Sequence, residues 1–111
     1  MKKVTYTEFK ELQNGNNKVF VDFYADWCGP CKMMEPVLDD VSSAMRDTGV
    51  VFVKVNADEE RELSAEFGVR GIPTFVMIDD GETKEKFSGV SNSMVHDHAA
   101  GLEQGVDFFE V

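Results

Sequence analysis

The chain has two cysteines, and they stand three positions apart in the segment FVDFYADWCGPCK, residues 20–32. Residues at that spacing share one face of a helical turn, near enough for their sulfurs to bond. Pro30, between them, suits the first position of a helix, where a backbone N–H would have no partner anyway. Cys28 is then expected at the cap, where unpaired N–H groups and the positive end of the helix dipole favour a thiolate and lower its pKa. Cys31, one turn further in, is expected to be shielded. The pair reads as an attacking and a resolving sulfur for exchange with disulfides, and Gly29 removes bulk that would block an approaching protein backbone. Two other readings use the same residues. A structural zinc ion takes four ligands, and His96 and His98, two apart, do not face one way on a helix, so no metal is expected and both histidines read as solvated surface residues. Inert buried thiols are the other reading, but a CGPC turn directly after Trp27 is expected to be exposed.

Two further residues have the right type and place for chemistry. Asp22 and Lys54 are single charges inside otherwise apolar runs, and an isolated buried charge must pair, find water or shift its pKa. Desolvation is expected to raise the pKa of Asp22 into the range where a carboxylate works as a base. A purely structural buried pair is the alternative.

The elements that must position these residues follow from periodicity. Val19 to Tyr24 and Val50 to Val55 are near-continuous β-branched and aromatic runs without alternation, the pattern of strands covered on both faces. Between them, Pro30 to about Asp47 reads as helix, with Met34, Leu38, Val41 and Met45 at spacings of four, three and four, Pro36 inside it as a bend and Gly49 past its end. This is a βαβ unit whose strands lie side by side or nearly so, bringing Asp22 and Lys54 together. Val4 to Tyr6 reads as a short edge strand, followed by a helix from about Thr7 to Gln13 and a turn at Asn14-Gly15-Asn16-Asn17. The acids Asp58, Glu59 and Glu60 open a helix with Leu63 and Phe67 inward. Strands Thr74 to Ile78 and Thr83 to Ser88 flank the hairpin signal Asp80-Gly81. Val95, Ala99, Leu102, Val106 and Phe109 mark a closing helix interrupted by Gly101 and Gly105. The sum is a three-layered α/β fold on a mixed sheet.

Bulk properties bound the rest. At 111 residues the chain fits one domain, 1–111, able to bury a core without staples. Hydrophobic residues make up 42% and charged residues 29%, with no apolar stretch of membrane-spanning length. Two lysines near the N-terminus have no apolar segment after them, so the expectation is a reducing, cytoplasmic setting. The net charge of −10 opposes nucleic acid and acidic membrane surfaces as partners and most simply keeps the protein soluble.

Trp27-Cys28-Gly29-Pro30-Cys31-Lys32, with Asp22 upstream and Gly71-Ile72-Pro73-Thr74 downstream, resembles the thioredoxin family, whose order of elements the chain follows from about Val4 to Gly89. The resemblance implies a central mixed five-stranded sheet flanked by four helices, with Ile72-Pro73 in cis facing the dithiol. It implies a docking groove lined by Trp27, Gly29, Pro30, Gly71, Ile72, Pro73 and Gly89, and a role for Asp22, beside Lys54, in taking the proton of Cys31 through water. The activity implied is reduction of disulfides in target proteins by a monomer without a prosthetic group, recharged by an NADPH-dependent thioredoxin reductase. A glutaredoxin-like, glutathione-dependent enzyme and a redox-independent assembly subunit are the alternatives. Tyr24 stands where many members carry tryptophan, Asp26 where glutamate is frequent, and the tail after Met94 is acidic and interrupted by glycine, all of which bears on partner preference.

Overall fold

The computed structural model describes residues 1–88 and 92–104. Its elements are β1 (Lys2–Lys3), α1 (Tyr6–Asn14), β2 (Lys18–Tyr24), α2 (Gly29–Ala44), β3 (Val50–Asn56), α3 (Arg61–Glu66), β4 (Thr74–Asp79), β5 (Glu82–Ser88) and α4 (Asn92–Gln104). The sheet has five strands in the order β1-β3-β2-β4-β5. β2 and β3 are parallel neighbours, and β4 runs antiparallel between β2 and β5.

The uninterrupted apolar runs follow from burial on both faces. Along β2, Val19, Val21 and Phe23 belong to the cluster that Phe9 of α1 and Leu63 of α3 cover, whereas Phe20 belongs to the cluster under α2 and α4. The helical spacing in α2 places Met34, Leu38 and Val41 on that second cluster, where they meet Val95, Ala99 and Leu102 of α4. Each fully buried Phe or Leu contributes roughly 1.5–3 kcal/mol through removal from water. Asp22 continues the Phe20 row and so lies beneath α2, the helix that carries the dithiol.

Several expected boundaries move, each for a local reason. The edge strand is Lys2–Lys3 rather than Val4 to Tyr6, because Thr5 is taken as a helix cap: its Oγ1 accepts from the Glu8 N–H while the Glu8 carboxylate accepts from the Thr5 N–H. α2 ends at Ala44, short of Asp47. α3 begins at Arg61, because Asn56 Oδ1 accepts from the N–H groups of Asp58 and Glu59 and holds that stretch as a turn. Asp80 and Gly81 both have positive φ, 53° and 81°, which the tight β4–β5 turn requires. Val95, Ala99 and Leu102 are buried as the spacing predicts, while Val106 and Phe109 lie outside the described residues. His98 is not a solvated residue: its ring stacks on Phe87 with centroids 4.2 Å apart, covering part of β5. The side chain of His96 lies outside the described residues. Among the described residues no helix is long and apolar enough to cross a membrane, and no group of three or more His, Cys, Asp or Glu side chains could hold a metal.

Candidate active site

The strand-to-helix turn after β2 delivers the dithiol. Cys28 is the N-cap of α2, with extended backbone, and its Sγ accepts a hydrogen bond from the Cys31 N–H at 3.1 Å. This is the interaction expected to favour a thiolate at that sulfur once the pair is reduced. Pro30 occupies the second helical position rather than the first, since Gly29 follows the cap directly; the N–H of that position also lacks an intrahelical partner, so the proline removes nothing. Cys28 and Cys31 are joined as a disulfide, with Cα atoms 5.3 Å apart.

The expected exposure falls elsewhere than on the sulfur. Cys28 is only 3% exposed, no more than Cys31. What projects is Trp27, 72% exposed, with Gly29 and Pro30 beside it. Cys28 forms part of the floor of an open groove of about 500 Å³, which Trp27, Gly29, Pro30, Gly71 and Ile72 also line. A reacting group must therefore enter the groove to meet the sulfur. A Cβ placed on Gly29 or Gly71 would meet nothing within 4 Å, so the fold itself does not demand glycine at either position.

The loop opposite is built around a cis Ile72-Pro73 bond. Pro73 is buried, the Thr74 hydroxyl donates to the Gly71 carbonyl, and the Ile72 carbonyl oxygen lies 3.8 Å from Cys28 Sγ. Trp27, Gly29, Pro30, Gly71 and Ile72 thus line one groove from two loops 44 positions apart, measured from Cys28 to Ile72, whereas Pro73 does not line it. Gly89 lies outside the described residues.

Asp58 is a site residue that pattern reading misses. Its Oδ2 accepts from the Trp27 indole N–H at 2.8 Å, fixing the edge of the exposed ring across the groove. No local signal marks it, because its partner is 31 positions away.

Asp22 and Lys54 are register partners on β2 and β3, as the parallel pairing requires. They nonetheless form no ion pair. The Lys54 ammonium lies over the Tyr24 ring, 5.2 Å from its centre, and Asp22 Oδ1 is buried with no hydrogen-bond partner among the described residues. Both line a cavity of about 90 Å³ with Met1 and three α2 residues, Glu35, Leu38 and Asp39. Burial pushes the Asp22 carboxyl up from 3.8 to about 7; the Lys54 charge opposes this and the Glu35 charge adds to it. Glu35, exposed on α2 yet lining this same cavity, is a second charge acting on Asp22 that no sequence pattern marks.

A buried pair of sulfurs at a helix cap, facing a cis-proline loop, on a helix that covers a carboxyl raised to about 7, is the arrangement of a dithiol exchange site. Residues 1–99 match the thioredoxin family model. The chain belongs to the thioredoxin family. The thioredoxin of Mycoplasmoides gallisepticum is 42% identical over 90 residues, covering 80% of this chain and 88% of that protein. Among solved structures, oxidised mitochondrial thioredoxin 3 of Saccharomyces cerevisiae matches with a TM-score of 0.81 at 39% identity over 88% of this chain and 92% of its own. The thioredoxin of Malassezia sympodialis matches with a TM-score of 0.83 at 34% identity over 89% and 88% of the two chains. As a thioredoxin-family member with its redox-active cysteine pair in place, the protein is a dithiol–disulfide oxidoreductase that reduces protein disulfides.

Proposed function

We propose that the protein works as a cytoplasmic, monomeric, single-domain reductant, residues 1–111, in which Cys28 attacks and Cys31 resolves. The observation that carries this reading is the hydrogen bond from the Cys31 N–H to Cys28 Sγ at the start of α2, which singles out one sulfur of the two for a negative charge. The Cys28 thiolate attacks one sulfur of a target disulfide, forming a mixed disulfide and releasing the target's other sulfur as a thiolate. Cys31 then loses its proton and attacks Cys28. The Cys28–Cys31 bond forms, the mixed disulfide breaks, and the second target sulfur leaves, so that two electrons pass to the target and the protein ends oxidised.

Asp22 is the group that takes the proton from Cys31. It lies beneath α2, its carboxyl titrates near 7 so that both protonation states are populated at neutral pH, and a cavity of about 90 Å³ gives room for a relaying water. Lys54, its strand neighbour, lowers the Asp22 pKa and keeps it within that range. Trp27, Gly29, Pro30, Gly71, Ile72 and Pro73 receive the target segment, and Gly89 is expected to complete the same surface. Electrons return from NADPH through a thioredoxin reductase.

One set of measurements tests the reading. Turnover of a disulfide-containing protein with NADPH and a thioredoxin reductase is expected, together with a reduction potential below roughly −220 mV, the poise of the glutathione pool. A higher potential would assign the protein to oxidation instead. Turnover with reduced glutathione as the sole donor would make it glutaredoxin-like, and full biological activity of a Cys28→Ser, Cys31→Ser variant would make it a redox-independent assembly subunit.

A further inference from the structure

Charge around the dithiol is unevenly placed. On the Trp27 side of the groove stands Asp58, already engaged with the indole, with Asp26 exposed nearby. On the opposite side, beyond Gly71, a second cleft of about 350 Å³ opens between Gly68, Arg70, Gly71, Thr74, Lys86 and Ser88. Arg70 and Gly71 belong to both clefts, so the two are continuous.

The polar groups of this second cleft can be accounted for one by one. Thr74 Oγ1 donates to the Gly71 carbonyl and lies 3.2 Å from Ser88 Oγ, so Ser88 must be the donor of that pair and both hydroxyl protons are spent. Lys86 Nζ donates to the carbonyls of Phe67 and Gly68, each at 3.2 Å, which leaves one of its three protons over. The Arg70 guanidinium is exposed and has no hydrogen bond or ion pair among the described residues. Two full positive charges therefore face this second cleft, which no carboxylate lines among the described residues, in a protein whose net charge is −10.

We propose that this cleft is a carboxylate anchor that selects targets: a disulfide flanked by Asp or Glu is held with the acidic side chain between Arg70 and Lys86 while the reacting sulfur lies over Cys28. The inference rests on the disulfide-reductase reading and deepens it. The offset follows from the chain itself. Ile72 borders the sulfur, and Arg70, two residues before it on the same bent loop, lines both clefts. The anchored acid thus stands two or three positions from the attacked cysteine. An arginine fork meets a carboxylate through two parallel hydrogen bonds, which gives the anchor direction as well as charge. At 0.15 M ionic strength the repulsion from the rest of the acidic surface is screened beyond about 8 Å, and the groups lining the cleft decide.

Matched peptides with one internal disulfide, carrying Glu, Gln or Lys two and three positions from the attacked cysteine, test the proposal in the reductase-coupled assay at that ionic strength. The expected order of kcat/KM is Glu over Gln over Lys, with about a twofold to fivefold spread from end to end, the range for exposed charge pairs. A charge-reversed R70E/K86E variant is expected to invert the order. If that variant does not fold, R70Q/K86Q is expected to level the three peptides. An unranked set in the wild-type protein, or the same ranking in the wild-type and either variant, overturns the anchor. Reduction of none of the peptides by the wild-type protein, the neutral one included, overturns the reductase reading and the anchor with it.

Discussion

Trp27, bordering the groove over Cys28, and Asp22, in the cavity beneath α2, treat water in opposite ways. The indole is 72% exposed, yet its one polar atom is satisfied by Asp58. The carboxyl of Asp22 is 4% exposed, yet one of its oxygens has no partner among the described residues. A large apolar ring held in solvent costs little to keep once its N–H is paired, and it offers contact area to whatever docks. A carboxyl held out of water is costly as an anion, so it keeps its proton up to about pH 7 and becomes able to exchange it where an exposed aspartate could not. In the proposed mechanism, recognition thus falls to an exposed but satisfied group and proton handling to a buried but unsatisfied one. Both cysteines of the dithiol are buried like Asp22, but Cys28 lines the groove that Trp27 borders.

The largest effects are expected at the sulfurs themselves. Cys28→Ser should reduce disulfide turnover to background, while Cys31→Ser should leave the first step intact and accumulate a mixed disulfide with the target, visible as a mass increase under non-reducing conditions. If Cys31→Ser instead abolished adduct formation and Cys28→Ser trapped it, the two roles would be exchanged.

Next in size is Asp22→Asn, which separates function from stability. The folded pKa lies above the unfolded one, so between about pH 4 and pH 7 the folded state holds a proton that the unfolded state releases. Stability from this group is fully present below about pH 4 and is lost as pH rises through 7. The loss is on the order of 4 kcal/mol, at about 1.36 kcal/mol per pKa unit over the rise from 3.8 to about 7. The asparagine variant should be more stable than the wild-type protein at pH 8 by a similar amount, and the decline due to Asp22 between pH 4 and 8 should be absent from its denaturant titrations. Its resolution step at pH 7 should slow by about a hundredfold, read as a longer-lived mixed disulfide. A stabilised variant with unchanged resolution would leave Asp22 as a structural cost without a chemical role.

What could be read from the sequence follows the same division between local and distant causes. The strands β2 and β3 were legible because burial on both faces leaves an unbroken apolar run, and the α2 spacing was legible because Met34, Leu38 and Val41 are buried along one stripe, while Met45 is only partly buried past the helix end. The dithiol cap is a local arrangement of four residues, and its geometry follows from them. β1 was not legible, since a strand of two lysines has no pattern and the neighbouring Val4 serves the core just before the Thr5 cap. The bond between Trp27 and Asp58 and the turn of Lys54 toward Tyr24 depend on how separate segments meet, and nothing in either segment alone encodes them. The burial of Cys28 was misjudged for a related reason: the turn around it is exposed, but the sulfur tucks against the Ile72 carbonyl from a distant loop.

A smaller effect probes the exposed end. Asp58→Ala removes the partner of an indole N–H that water can satisfy, so stability should change by less than about 1 kcal/mol. The ring is then free to swing from the groove edge, and kcat/KM for a protein disulfide should fall by about threefold to tenfold, through loss of a positioned contact surface. Equal losses in stability and activity would instead make the Trp27–Asp58 pair part of the fold.

The smallest effect expected is that of Lys54→Met, and its direction tests the account of Asp22 most closely. Burial is the main cause of the raised carboxyl pKa, and the ammonium of Lys54 acts against it from a position over Tyr24 rather than in contact. Removing that charge should therefore raise the Asp22 pKa further without creating a new unpaired group, since no ion pair is broken. The stability decline of the wild-type protein, which levels off near pH 7, should then continue to higher pH, and the rise in resolution rate with pH should move in the same alkaline direction. Both shifts should vanish in the Lys54→Met, Asp22→Asn double variant, because the lysine would have nothing left to act upon. If Lys54→Met moved the profile toward acid, or moved it equally with and without the aspartate, the lysine would be acting on another group and the cavity beneath α2 would need a different proton carrier.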